Sequence, residues 1–441
     1  MTGSPAAATQ PAAMSVRDVL RIADFRRLWA AQTISDIGDG VTLLTLMLLV
    51  NQLTHSTLVL AAAAIALAIP PLTIGMVAGT YVDRWDRRRV MIVSDGLRAV
   101  VVLGFIVVGR AELVPLLLVL ALVQASIGTF FTPARGALVP RVVPAEGLLA
   151  ANSITQATRV IAGVVGAGIA GFIVGVAGLT WPAFLIDSLT FAASAALVLG
   201  VTATAGIPSA AEHDAAKGVG ASIAEGLRIV GGSRLLSTTL LALAVTMLGL
   251  GAINVLFLPL LVNVLGVSPT WLGAVDLAQS ASMILSAGLV AGLAARLRPT
   301  TIITVCLVAV GVLIGLVGAT THMLQVLALL FGLGWFVTPV QAAVVTTFQT
   351  GVADAARGRA MATLQAAMAG ASVTSMLLAG IFGDLVGVRA VFFVGGALVV
   401  LAGLASAVLY RGAATEAAEA AEAAGPLQVE AARTEVISPT A

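Results

Sequence analysis

Charge is what this sequence has least of. Of its 441 residues only 10% are Asp, Glu, Lys or Arg, while 59% are hydrophobic; an ordinary soluble domain carries about 25% charged residues. Such a chain cannot clothe a water-facing surface along every element. Cysteine is almost missing as well: Cys306 stands alone, so no disulfide can form within the chain. The three histidines, His55, His213 and His322, fall in loops or at the edge of an apolar run. Without His/Glu metal spacing, a nucleophile motif or a nucleotide-binding loop, the sequence speaks against a metal site, a cofactor, an enzyme and a self-contained ATP-driven pump. No basic face interleaved with aromatics exists to hold a nucleic acid. The first 27 residues lack an apolar stretch with a cleavage site, so the first long run is expected to direct insertion itself.

What the sequence has in quantity is long apolar runs. A bilayer core needs about 20 apolar residues per helix, and twelve runs of that kind fit, at roughly 28–51, 57–81, 90–109, 113–133, 155–176, 181–203, 236–263, 271–295, 300–319, 322–347, 360–383 and 388–410. None alternates as a barrel strand does, and backbone groups without water then require helices. The expected class is all-α: a polytopic membrane protein with twelve transmembrane helices in two pseudo-symmetric six-helix bundles.

The charges cluster between the runs. With both termini in the cytoplasm, nearly every Arg, and Lys217, falls on the inside, leaving Arg110 outside and Arg389 at an outer edge; the positive-inside rule sets that orientation. The domains follow as a cytoplasmic segment 1–27, a six-helix domain 28–203, a cytoplasmic linker 204–235, a second six-helix domain 236–411 and a cytoplasmic tail 412–441, rich in Ala and Glu, that is expected to stay mobile with a brief helix as the alternative. Within the linker, Ile223, Leu227 and Val230 recur at helical spacing beside Glu225 and Arg228, as in a helix lying on the membrane surface. Short echoes support duplication: Val77-Ala78-Gly79 matches Val290-Ala291-Gly292, and Ala170-Gly171 matches Ala379-Gly380.

After the second run the chain reads Gly79-Thr80-Tyr81-Val82-Asp83-Arg84-Trp85-Asp86-Arg87-Arg88-Arg89. This resembles the signature loop of the major facilitator superfamily, over residues 20–411. The segments Phe25-Arg26-Arg27-Leu28-Trp29 and Phe131-Thr132-Pro133-Ala134-Arg135-Gly136-Ala137-Leu138-Val139-Pro140, with Asp187 in the sixth run, are similar to the drug:proton antiporter branch that contains macrolide and enterobactin exporters. The resemblance implies a gating latch at Gly79, Asp83, Arg84 and Arg87. Physically, Gly79 permits close helix approach and Asp83 suits the positive end of a helix; the alternative is that these arginines only anchor topology. Two departures stand out. Gln124, four residues before Gly128, replaces an arginine common in the branch. In Gly166-Ala167-Gly168-Ile169-Ala170-Gly171, Ala167 replaces the expected proline and Ala170 the first glycine of the closing pair. Gly163, Ala167, Gly171 and Gly175 still form a small-residue stripe that favours helix packing.

Ionisable groups inside hydrocarbon are expensive and need a partner or a task. The candidates are Asp36, Asp39, Asp95, Arg98, Arg159, Asp187 and Asp276. Asp39 lies at the midpoint of the first run, three residues from Asp36 and beside Gly38 and Gly40. The pair is expected to bind and release protons during alternating access, or to hold a cation; the competing reading pairs Asp39 with Arg98 or Arg159. Asp95 and Arg98 read as an ion pair, Arg159 as an anchor or an anion contact, and Asp187 and Asp276 as lining an outer vestibule or capping a helix. Gln124, Gln279, Gln341 and Gln365 offer hydrogen bonds to a ligand or between helices, and Phe130, Phe131, Trp335 and Phe336 offer aromatic surface. The expected function is proton-coupled export of a small amphiphile from a bacterial inner membrane, with protons and membrane lipids as further partners. A lipid or lysolipid translocator of the same fold is the alternative, with a non-transporting receptor or a membrane enzyme behind it.

Overall fold

The computed structural model describes residues 14–82, 84–202, 219–294, 296–352 and 354–423, and among them no strand occurs. The helices are α1 (Val16–Arg21), α2 (Ala23–Thr54), α3 (Thr57–Thr73), α4 (Gly75–Val82), α5 (Arg87–Ile106), α6 (Val114–Val142), α7 (Leu148–Ala177) and α8 (Trp181–Leu199), then α9 (Val219–Gly231), α10 (Arg234–Pro259), α11 (Leu272–Ala294), α12 (Pro299–Gly318), α13 (Met323–Thr350), α14 (Asp354–Val386) and α15 (Val388–Ala423). The chain is all-α and integral to a membrane: among the described residues, nine helices are long and apolar enough to cross one.

The three other expected runs are helical at their expected places. The second divides into α3 and α4, because Pro70 and Pro71 cannot donate backbone hydrogen bonds within α3. The third, α5, carries Arg87, Arg88, Arg89, Asp95 and Arg98. The eighth is α11.

The described residues fall into two compact units. One comprises the described part of Met1–Ala215 with Asn254–Ser280 and Met376–Val386; the other comprises the described part of Ala216–Ile253, Ala281–Ser375 and Gly387–Ala441. The ends of α10 and α14 and the start of α11 therefore group with the first eight helices. In the first unit, α2 packs on α7 and α8, and α5 packs on α6 and α8. A carbonyl cluster at the end of α8 is closed by cations: Arg27 donates to Gly200 at 2.6 Å, and Arg88 donates to Val198 at 3.1 Å and to Leu199. Positive side chains there complement the negative end of the helix dipole.

The linker and the tail are each described in part. About half of the linker, 219–235, lies among the described residues, and its helix α9 packs on α14 within the second unit while Leu227 stays half-exposed. Gly226 abuts Thr363 and the Arg359 carbonyl, Glu225 pairs with Arg359 at 3.5 Å, and Val230 is buried in the unit's apolar core. The tail begins as a continuation of α15, which runs on to Ala423 through an Ala- and Glu-rich stretch; both residue types are strong helix formers. The remainder, 424–441, lies outside the described residues.

Candidate functional site

Three carboxylates from three helices meet one guanidinium inside the first unit. Arg98 of α5 is ion-paired with Asp39 of α2 and lies 3.8 Å from Asp95, one turn earlier on its own helix. Its guanidinium also stacks over the Phe191 ring of α8, 4.0 Å from the centroid, an arrangement that stabilises a cation withdrawn from water. Asp187 of α8 is close enough to interact electrostatically with both Asp39 and Arg98. The second oxygen of Asp95 accepts a 2.6 Å hydrogen bond from Ser194, and Asp187 accepts one of 3.1 Å from Thr190.

Exposure separates the members. Asp95 and Asp187 are fully buried and Arg98 is 7% exposed, whereas the Asp39 side chain keeps 42% of its surface. Asp39 is thus the cluster's open face. Asp95 and Asp187 each retain one carboxylate oxygen without a hydrogen bond, as does the Arg98 Nε. Such groups are costly when buried, and one guanidinium cannot counter three acids.

Small residues create the space. A side chain at Gly38 would collide with Asp187 and Thr190, and one at Gly166 would collide with the Ile37 carbonyl and the Gly40 backbone. The α2–α7 crossing thus rests on Gly40 and Gly166. Gly128 of α6 gives way to Arg98: a Cβ there would lie 3.4 Å from the guanidinium carbon. Gln124, one turn earlier, is buried with neither end of its amide hydrogen-bonded.

The other expected residues separate. Asp36 is half-buried within electrostatic reach of Asp39, Arg159 and Arg135, so the pair on α2 divides its cationic neighbours: Asp39 faces Arg98, while Asp36 faces Arg135 and Arg159. Arg159 itself is exposed. Asp187 is sealed in the cluster and lines no vestibule. Asp276 on α11 is half-buried, with no ionic partner among the described residues. In the small-residue stripe, Gly171 and Gly175 of α7 abut Pro269 and Thr270. Of the latch residues, Asp83 lies outside the described residues, Gly79 belongs to α4, Arg84 is exposed, and Arg87 is buried in the first turn of α5.

The second unit holds a cavity of about 350 Å³ between α10, α12, α13 and α14. Its wall is aliphatic apart from Thr246, Gln341 and Gln365, with Met247, Met361 and Met368 as flexible elements, and it carries no ionisable group. Methionine thioethers adapt to varied apolar shapes, while two amides supply orientation. Neither Trp335 nor Phe336 lines it: Trp335 stacks on Phe331 at 6.3 Å and Phe336 packs against the core.

Two polar contacts escaped the sequence reading. Asp384 near the end of α14 sits on the N-terminus of α3, accepting from Ser56 Oγ at 2.7 Å, Thr57 N–H at 2.7 Å, Thr57 Oγ1 at 2.8 Å and Leu58 N–H at 3.3 Å. Asn51 and Asn263 exchange reciprocal amide hydrogen bonds of 2.9 Å. The open Ser56-Thr57 helix start was visible in the sequence. Its partner, over three hundred residues away, was not.

Comparison with known proteins agrees with this architecture. The Major Facilitator Superfamily profile matches residues 28–348 and 239–439. Multidrug efflux pump Tap of Mycobacterium tuberculosis is 30% identical over 366 residues, covering 80% of this chain and 86% of its own. Macrolide efflux protein A of Streptococcus pyogenes is 30% identical over 151 residues, 34% of this chain and 37% of its own. Among solved structures, a bacterial homologue of the iron transporter ferroportin aligns with a TM-score of 0.68 at 15% identity, over 89% of this chain and 99% of its own. The nucleoside transporter NupG aligns at 0.65 and 13%, over 88% and 99%.

Proposed function

The chain belongs to the major facilitator superfamily, and from that premise we propose that it is a proton-coupled exporter of small amphiphilic compounds, of drug, macrolide or siderophore-like character. It is a transporter and not an enzyme. The efflux names of its relatives support the export direction.

The observation that carries the proton coupling is the imbalance around Arg98. Asp39, Asp95 and Asp187 share a single guanidinium, and the least costly way to neutralise the surplus is to bind protons. Asp39, the exposed member, exchanges protons with water. Asp95 and Asp187 hold Arg98 in place between exchanges. When Asp39 is protonated its hold on Arg98 weakens, which gives the cluster two electrostatic states that a rocking transporter can use. The guanidinium that related antiporters carry at the position of Gln124 is here supplied by Arg98, over Gly128. Asp36, with Arg135 and Arg159 near it, forms the next polar station along α2.

The uncharged cavity of the second unit supports an amphiphile's apolar body, with Gln341 and Gln365 as its hydrogen-bonding groups. Charge handling and solute handling are thus divided between the units. The two six-helix halves, the cytoplasmic termini, the bacterial inner membrane and the latch at Gly79, Asp83, Arg84 and Arg87 complete the reading. Asp384 on α3 and the Asn51–Asn263 pair close the opposite, outer side.

The test is a panel of cationic drugs, macrolides, siderophores and lysolipids in reconstituted vesicles. A pH gradient should drive accumulation of at least one solute. Solute movement indifferent to the gradient would replace this reading with an equilibrating lipid or lysolipid translocator.

A further inference from the structure

Helix α5 opens with three consecutive arginines, Arg87, Arg88 and Arg89. The positive end of a helix dipole favours acids, not cations, so helix stability does not account for them. Arg87 is buried and Arg88 closes the end of α8. Arg89 is different: 85% of its side chain is exposed, and among the described residues its one acidic partner is Asp86 at 3.8 Å. Asp86 is already committed to capping α5 through the Arg89 N–H, at 3.1 Å. Arg84 is exposed and has no ionic partner among the described residues.

These two side chains line a groove of about 690 Å³ together with Trp85 and Asp86, whose carboxylate is taken up by the α5 cap and by Arg89. Its floor runs down the α5–α6 surface past Val93, Leu97 and Phe130, and Trp85 stacks on Phe130 at 6.4 Å. Val93 and Leu97 are at least half exposed, on a helix of a protein that crosses a membrane. Cations above an apolar trough, with an indole at the junction, match the layout of a phospholipid: a charged head, an interfacial belt and acyl chains.

We propose that this groove is a binding site for one anionic phospholipid, its phosphate held by Arg84 and Arg89, its glycerol region beside Trp85 and an acyl chain along Val93, Leu97 and Phe130. Arg84, without an ionic partner among the described residues, and Arg89, held only loosely by Asp86 at 3.8 Å, select the anionic head over a zwitterionic one. This lipid is a bound structural partner and not the transported solute, and the site stands whatever the solute is.

Native mass spectrometry of the purified full chain, titrated with phosphatidylglycerol or phosphatidylcholine, tests the assignment. The chain should retain one phosphatidylglycerol with a preference of about tenfold to thirtyfold, and Arg84→Ala/Arg89→Ala should lose that preference. The exposed Arg26→Ala, away from the groove, should keep it. A measurement on the unaltered rim uses brominated acyl chains: the fluorescence lost on Trp85→Phe should be quenched more by brominated phosphatidylglycerol than by brominated phosphatidylcholine. Equal retention of the two lipids, a preference that survives the double substitution, or equal quenching by both would each overturn the proposal.

Discussion

Arg98 on α5 holds Asp39 on α2, and through that pair the open acid of the cluster is tied to a buried cation. The contact spans two helices that also share α8 as a neighbour, so a change in either charge is felt where α2, α5 and α8 pack together.

Removing the cation should therefore damage the fold as well as transport. Arg98→Ala leaves Asp95 and Asp187 buried without counter-charge, at a cost of about 3–5 kcal/mol. A thermal melt of the detergent-purified protein should show a large loss. Adding Asp95→Asn should recover part of it, because one fewer acid then lacks a partner; additive losses would place Arg98 outside the cluster's electrostatics.

The α2–α7 crossing supplies a packing prediction independent of charge. Gly166→Val drives a branched side chain into the Ile37 carbonyl and the Gly40 backbone, where overpacking costs about 1–3 kcal/mol. The melting temperature should fall clearly. Gly136→Val, at a site with nothing within 4 Å of an added Cβ, should show at most a small change by the same assay.

How much of this was readable beforehand depends on range. Apolar runs report helices locally, so the class and the places of the helices followed from composition; the break between α3 and α4 was signalled by Pro70-Pro71 and was overlooked because hydropathy continues across it. Asp36, Asp39, Asp95, Arg98 and Asp187 stood out because charge in hydrocarbon is rare. Which acid met which cation was not legible, since side chains on three helices converge only through the packing that Gly38, Gly40 and Gly166 permit. Asp384 was missed altogether: at the end of its run it looked like an ordinary boundary residue, and only tertiary structure sets it on Thr57.

That contact gives a conformational prediction. Asp384→Asn keeps the side chain's shape but removes the charge that faces the α3 N-terminus. Loss of a charged cap of this kind costs about 1 kcal/mol. With Ala379→Cys in a Cys306→Ser background, labelling by a membrane-impermeant maleimide from outside should accelerate about fivefold. An unchanged rate would mean that Asp384 does not restrain the outer side.

In the uncharged cavity, Gln341→Leu removes one of two amides while keeping an apolar wall. Apparent affinity for solutes that hydrogen-bond there should weaken about threefold to tenfold, and the number of protons moved per solute should not change. A shift in that ratio, measured by pH-dye fluorescence alongside solute uptake, would contradict the division of labour between the units.

The central claim is that Asp39 exchanges the coupling proton. Its most direct test is solute-induced proton movement in vesicles containing the Asp39→Asn chain, with insertion and amount matched to the unaltered protein. The predicted result is that downhill solute movement survives, while proton movement and gradient-driven accumulation are both lost. Full accumulation accompanied by normal proton movement would contradict it.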